Sequence, residues 1–128
     1  WMIARKQGHV INIGSTAGKD AYANGNVYCG TKFAVDAITK SMRIDLLPHQ
    51  IKVTAVNPGA AETEFSLVRF KGNAEKAKAV YNGIEALQAD DIAEIVWFAA
   101  SRPKHVVLND IVVTPLAQAN AMYIHRTV

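Results

Sequence analysis

The chain has 128 residues, half of them hydrophobic and a fifth charged, with a formal net charge of +3. That length carries one domain with a real core, and no stretch approaches the roughly 18 apolar residues of a membrane helix. The 14 lysines and arginines are scattered, without a run, a stripe or an aromatic ladder, so neither nucleic acid nor membrane is an expected partner.

Cys29 is the only cysteine, so no internal disulfide can form, and a reducing cytoplasm is the simplest compartment. The opening residues 1–8 carry Arg5 and Lys6 but no long apolar run behind them, so they do not read as a signal peptide. His9, His49, His105 and His125 show no ligand spacing, and a metal site is not expected.

In chain order, the first element is a β-branched run, Val10, Ile11 and Ile13, bounded by Gly8 and Gly14, which reads as a buried strand. A loop rich in Gly, Ala, Asn and Asp follows from Ser15 to Asn26. Residues 28–47 have helix composition, closed by Pro48. Residues 51–56 alternate and are β-branched, a second strand ended sharply by Asn57-Pro58-Gly59. Strand, helix and strand within about fifty residues make a βαβ unit with parallel strands.

Beyond it, residues 60–72 read as irregular and 73–82 as a short charged helix. Residues 89–102 form a stronger helix stopped by Pro103, with Trp97 and Phe98 read as core or subunit contact. Residues 110–115 are a third strand, and the tail from Leu116 has no decisive pattern. A parallel sheet of three strands is thin, because parallel sheets usually have both faces covered. The chain therefore reads as the C-terminal half of a doubly wound parallel α/β sheet.

In open α/β sheets ligands sit beyond the carboxyl ends of the strands. Gly14-Ser15 and Asn57-Pro58-Gly59 both occupy such ends. Tyr28 and Lys32 stand four apart and share one helix face. A tyrosine of pKa about 10 is a poor base at neutral pH, and a nearby ammonium lowers that value. A tuned phenol can exchange a proton with a substrate oxygen that Ser15 holds by a hydrogen bond. Cys29 points about 100° around the helix from that face and reads as packing.

These residues carry a resemblance. Gly14-Ser15, then Tyr28-Cys-Gly-Thr-Lys32 beginning thirteen residues after the serine, then Pro58-Gly59-Ala-Ala-Glu-Thr63 resemble the short-chain dehydrogenase/reductase family. The Y-x-x-x-K spacing alone is common; the three motifs in order, each on its expected element, are specific. The resemblance implies a Rossmann-type fold and an oxidoreductase using NADP, with NAD not excluded.

It further implies that Tyr28 is the general acid/base, Lys32 lowers its pKa and binds nicotinamide ribose hydroxyls, and Ser15 orients the substrate. Pro58, Gly59, Ala61 and Thr63 would contact the nicotinamide end, and the cofactor would carry the hydride. Residues 11–18, 63–66, 68–72 and 102–106, with Asn109 and Pro115, are similar to the NADP-dependent 3-hydroxy acid dehydrogenases, which oxidise serine and allo-threonine. Family members are commonly tetramers, so a homo-oligomer is expected, with residues 123–128 reaching a neighbouring subunit.

The family's glycine-rich phosphate loop, its NADP-selecting residue and its fourth catalytic residue, an asparagine, match nothing in this chain. Neither Asn12 nor Asn57 stands at that asparagine's place. The expectation is a partial domain, 1–128, whose cofactor-binding half lies elsewhere. Arg69 is a candidate for a substrate carboxylate, because a fork of N–H donors suits one, with Lys71 a lesser one; a plain surface arginine is the competing reading. Ser15 also suits a turn or N-cap, and Thr63 a helix cap. The alternatives to a 3-hydroxy acid enzyme are a reductase of other short carbonyl compounds, with 65–81 setting the substrate, and a truncated non-catalytic half-domain that binds a partner through its sheet edge.

Overall fold

The computed structural model describes residues 1–127. Three parallel strands form the sheet in the order β1-β2-β3: β1 is Gly8–Ile13, β2 is Ile51–Pro58 and β3 is Asp110–Val113. Val10 pairs with Val53 and Ile13 with Val56, while Val56 pairs with Ile111. A single helical turn, α1 (Met2–Arg5), precedes β1 and ends at Lys6 in the left-handed conformation.

The crossover from β1 to β2 is α2 (Asn26–Leu46), followed by a 3-10 turn, Leu47–His49. The helix starts two residues before the expected Tyr28 and stops one before the expected end, where Pro48 enters the tighter turn. Between β2 and β3 lie α3 (Glu64–Arg69), α4 (Ala74–Ala79) and α5 (Ala89–Ala100). The expectation of an irregular 60–72 is corrected by α3. Its six residues are too few to show a period, and Thr63 starts it by accepting a hydrogen bond from Phe65 N. Helix α5 opens with a capping box, in which Gln88 N donates to Asp91.

The core centres on β2, the middle strand, where Val53, Thr54 and Val56 are fully buried. Each buried valine contributes roughly 1.5–3 kcal/mol relative to exposure. Thr54 bonds His9 Nε2 at 2.7 Å, and Asn12 donates to Thr39 at 2.9 Å, while the buried His9 Nδ1 has no partner among the described residues. Asn57, 2 % exposed, donates to Asp110. Asn12 and Asn57 are thus occupied in tying elements together.

Trp97 and Phe98 are 73 % and 49 % exposed, so their reading as core is corrected. Over 123–127 the tail is bonded to its own chain and remains largely exposed. It folds back, with His125 N donating to Ala117 O and Thr127 N to Gly83 O; Val128 lies outside the described residues. Among the described residues no helix is long and apolar enough to cross a membrane.

Candidate active site

The backbone leaves β1 through Gly14, whose N–H donates to Val56 O. Ser15 follows, buried and extended, and its hydroxyl caps the 3-10 turn Thr16–Gly18 by accepting from Ala17 N at 3.1 Å. Gly18 is held against α2: a Cβ there would lie 2.7 Å from the backbone oxygen of Lys32. Only glycine permits that approach, and it fixes the Ser15 turn relative to the turn of helix bearing Tyr28 and Lys32.

The rest of the loop is pinned by Lys19, which pairs with Asp36 of α2 and Asp110 of β3 at 2.6 Å each. Against the cost of burial these bonds raise the Lys19 pKa, and Lys19 together with Lys40 holds the Asp36 carboxyl below its ordinary range. Cys29 is 3 % exposed and packs inward, as its position around the helix implied.

The other side is the chain after β2. Gly59 N donates to Val113 O, and Ala60 N donates to the buried side chain of Gln118, which itself donates to Asn120 O. Ala61 bridges to Leu87. Tyr81 donates to Ala61 O at 2.8 Å and shares a 2.6 Å hydrogen bond with buried Ser66 of α3. Arg69, at the end of α3, donates to the Tyr22 hydroxyl at 3.2 Å.

These segments enclose one cavity of about 470 Å³ at the carboxyl ends of β1 and β2, a size suited to a small ligand. Ser15, Tyr28, Lys32, Pro58, Gly59, Ala61, Thr63 and Arg69 all line it. Lys71 does not. The capping roles of Ser15 and Thr63 coexist with a place in the wall. Ser66 and Tyr81, within the 65–81 segment expected to cover the pocket, line the cavity too, and so do Tyr22, Gln118, Ala121 and Ile124, which sequence reasoning missed. The tail residues carried no signal, because the stretch from Leu116 has no periodicity and meets the cavity only through long-range contacts such as Ala60 N to the Gln118 side chain.

The electrostatics differ from the expectation drawn from spacing. Burial pushes the Tyr28 phenol above the ordinary tyrosine range; the Ser15 hydroxyl pulls it down, neighbouring Tyr22 pushes it up, and Arg69 pulls it down. The net direction is upward, whereas Lys32 was expected to lower it. The Lys32 ammonium lies 5.8 Å from the Tyr28 ring centroid, and burial holds its own pKa below the usual lysine value. It donates to Ile13 O at 3.1 Å. The Arg69 guanidinium lies 5.9 Å from the same ring, and Phe65 packs against that ring at 5.2 Å between centroids.

A serine, a phenol and two cations line one cavity at the carboxyl ends of parallel strands in an α/β protein. A family model described as short chain dehydrogenase matches residues 1–88, and the chain belongs to that family. It is 41 % identical over 123 residues to the NADP-dependent 3-hydroxy acid dehydrogenase of Schizosaccharomyces pombe, covering 96 % of this chain and 48 % of that protein. It is 43 % identical over 127 residues to the protein of that description in Escherichia coli K12, covering 98 % and 51 %.

Among solved structures, the closed form of serine dehydrogenase complexed with NADP+ is similar at a TM-score of 0.90 and 43 % identity, over 98 % of this chain and 52 % of that one. Serine dehydrogenase from Escherichia coli is similar at 0.72 and 34 %, over 92 % and 44 %. The chain spans about half the length of the curated relatives it matches.

Proposed function

We propose that the protein carrying this chain is an NADP-dependent oxidoreductase acting at the hydroxyl carbon of a 3-hydroxy acid such as serine or allo-threonine. The observation that carries this reading is the convergence of Ser15, Tyr28, Lys32, the turn after β2 and Arg69 on one cavity. Tyr28 exchanges the proton with the substrate oxygen, and Ser15 orients that oxygen. Arg69 takes the substrate carboxylate, because its planar fork matches two carboxylate oxygens.

The residues present fit the nicotinamide end of NADP. The Lys32 ammonium has three donors and makes one hydrogen bond, to Ile13 O, among the described residues; Lys32 lines the cavity, which leaves two donors for ribose hydroxyls. Pro58, Gly59, Ala61 and Thr63 give a mostly apolar wall suited to the flat ring. When bound, NADP supplies the hydride acceptor. A glycine-rich cradle for its pyrophosphate is not in this sequence. The NADP dependence of the relatives and the NADP+ complex of the similar structure support the choice of cofactor.

The same reading includes a homo-oligomer, with a tetramer as the family analogy, in which the exposed Trp97 face of α5 is covered. Sedimentation of the natural-length protein tests it, and a monomer would remove it. A second reading, reduction of other short carbonyl compounds, is favoured by the apolar part of the wall, Phe65, Val80 and Ile92. A substrate panel separates the two. The natural-length protein is given NADP+ or NAD+ with L-serine, L-allo-threonine, 3-hydroxypropanoate and uncharged short alcohols. Fastest reduction of NADP+ by the acids is expected; preference for the uncharged alcohols, or no turnover of any acid, overturns the first reading.

A further inference from the structure

We infer that Tyr22 is a substrate-contacting, specificity-determining residue, and that its hydroxyl works with the Arg69 guanidinium as a two-part clamp for a substrate carboxylate. The inference rests on the carboxylate role proposed for Arg69 and adds the group that makes such a role possible. Arg69 ends a six-residue helix and is exposed. A long side chain there is free to sample many rotamers, which weakens any defined contact with a small ligand.

The structure supplies the restraint. The Tyr22 hydroxyl accepts from Arg69 Nη1 at 3.2 Å, and the guanidinium lies 5.8 Å from the Tyr22 ring centroid and 5.9 Å from that of Tyr28. The Tyr22 ring is itself fixed: a Cβ on Gly25 would lie 2.5 Å from its Cε2, so the ring packs directly on the backbone of the loop. Lys19 ties that loop to α2 and β3.

The pair is left with donors toward the cavity. Arg69 has five N–H groups, of which one is used, by Tyr22, and no acidic side chain pairs with it among the described residues. A phenol that accepts from a guanidinium keeps its own O–H to donate. Both residues line the cavity that holds the Tyr28 phenol. An anion there meets a planar cation and a hydroxyl donor side by side, a combination selective for a carboxylate over a neutral amide. A neutral substrate leaves the cation unanswered.

The test compares 3-hydroxypropanoate with its neutral isostere 3-hydroxypropanamide on the natural-length enzyme, as wild type, Tyr22→Phe and Arg69→Met. Tyr22→Phe keeps the ring and removes the hydroxyl. Losing one hydrogen bond to a bound anion is expected to lower the acid-over-amide ratio of kcat/KM about three- to tenfold, with the loss carried by KM of the acid. Propanoate as a competitive inhibitor gives the same answer without turnover: its inhibition constant rises by a similar factor, and that of propanamide does not follow.

Equal losses on acid and amide, or unchanged inhibition by propanoate, would mean that Tyr22 only braces the loop, and the inference fails. The two layers separate cleanly. An acid-over-amide ratio unaffected by Arg69→Met overturns the role of Arg69 and the clamp with it. A ratio lowered by Arg69→Met but untouched by Tyr22→Phe overturns the Tyr22 assignment alone.

Discussion

The two walls of the cavity are built differently. One wall, bearing Ser15, Tyr28 and Lys32, stands on the sheet and on the 21-residue helix α2, locked by the Gly18 contact and the Lys19 ion pairs. The other, from Pro58 to Tyr81, is two six-residue helices and turns, tied by hydrogen bonds of Tyr81 to Ala61 O and Ser66, of Ala60 N to Gln118 and of Arg69 to Tyr22. Short helices draw their stability from packing rather than from their own backbone. The first wall is suited to chemistry, which needs fixed geometry; the second is suited to recognition, where a change of residues alters the substrate without disturbing the reacting groups.

The comparison breaks most visibly at Tyr28. Tyr28→Phe on the natural-length protein should lower kcat for a 3-hydroxy acid about a hundredfold or more, the scale of general acid–base catalysis, measured as steady-state formation of reduced cofactor. Across the cavity, Arg69→Met should raise KM for the acid roughly tenfold to a hundredfold, the loss of charge-assisted hydrogen bonds, with kcat changed much less.

Smaller effects sharpen the picture of the second wall. Gln118→Ala removes the acceptor for Ala60 N and should cost roughly 1–3 kcal/mol by denaturant titration. Tyr81→Phe deletes the bond to Ala61 O and the one shared with buried Ser66, and should likewise cost roughly 1–3 kcal/mol by the same measurement.

The pH dependence gives the finest test. In the proposed role Tyr28 loses its proton to act as base in alcohol oxidation, and its pKa is raised by burial, so oxidation should climb through the alkaline range and level off only above that pKa. Arg69 pulls the pKa down, so Arg69→Met should move the climb to still higher pH. A limb that moved to lower pH would contradict the assigned sign.

Much of the first wall was legible in the sequence. β-Branched runs ended by Gly14 and by Pro58-Gly59 locate two strand ends, and a four-residue spacing puts Tyr28 and Lys32 on one face, because strand and helix periods are local. The spacing did not reveal the direction of the Tyr28 shift, since burial of a phenol depends on Phe65 and on the packing above it. The second wall was less legible. Helix α3 is shorter than any period can announce, and Gln118 and Tyr22 act through contacts across 58 and 47 residues. Arg69 was visible as a chemical possibility; its partner was not, because a loop tyrosine carries no pattern.

The division of labour between the two walls is tested most directly by one steady-state experiment, in which kcat and KM for 3-hydroxypropanoate with NADP+ are measured side by side for wild type, Tyr28→Phe and Arg69→Met. The tyrosine variant is expected to show a lowered kcat and the arginine variant a raised KM. A change in the same parameter in both, or near-wild-type kcat in Tyr28→Phe, would contradict that division.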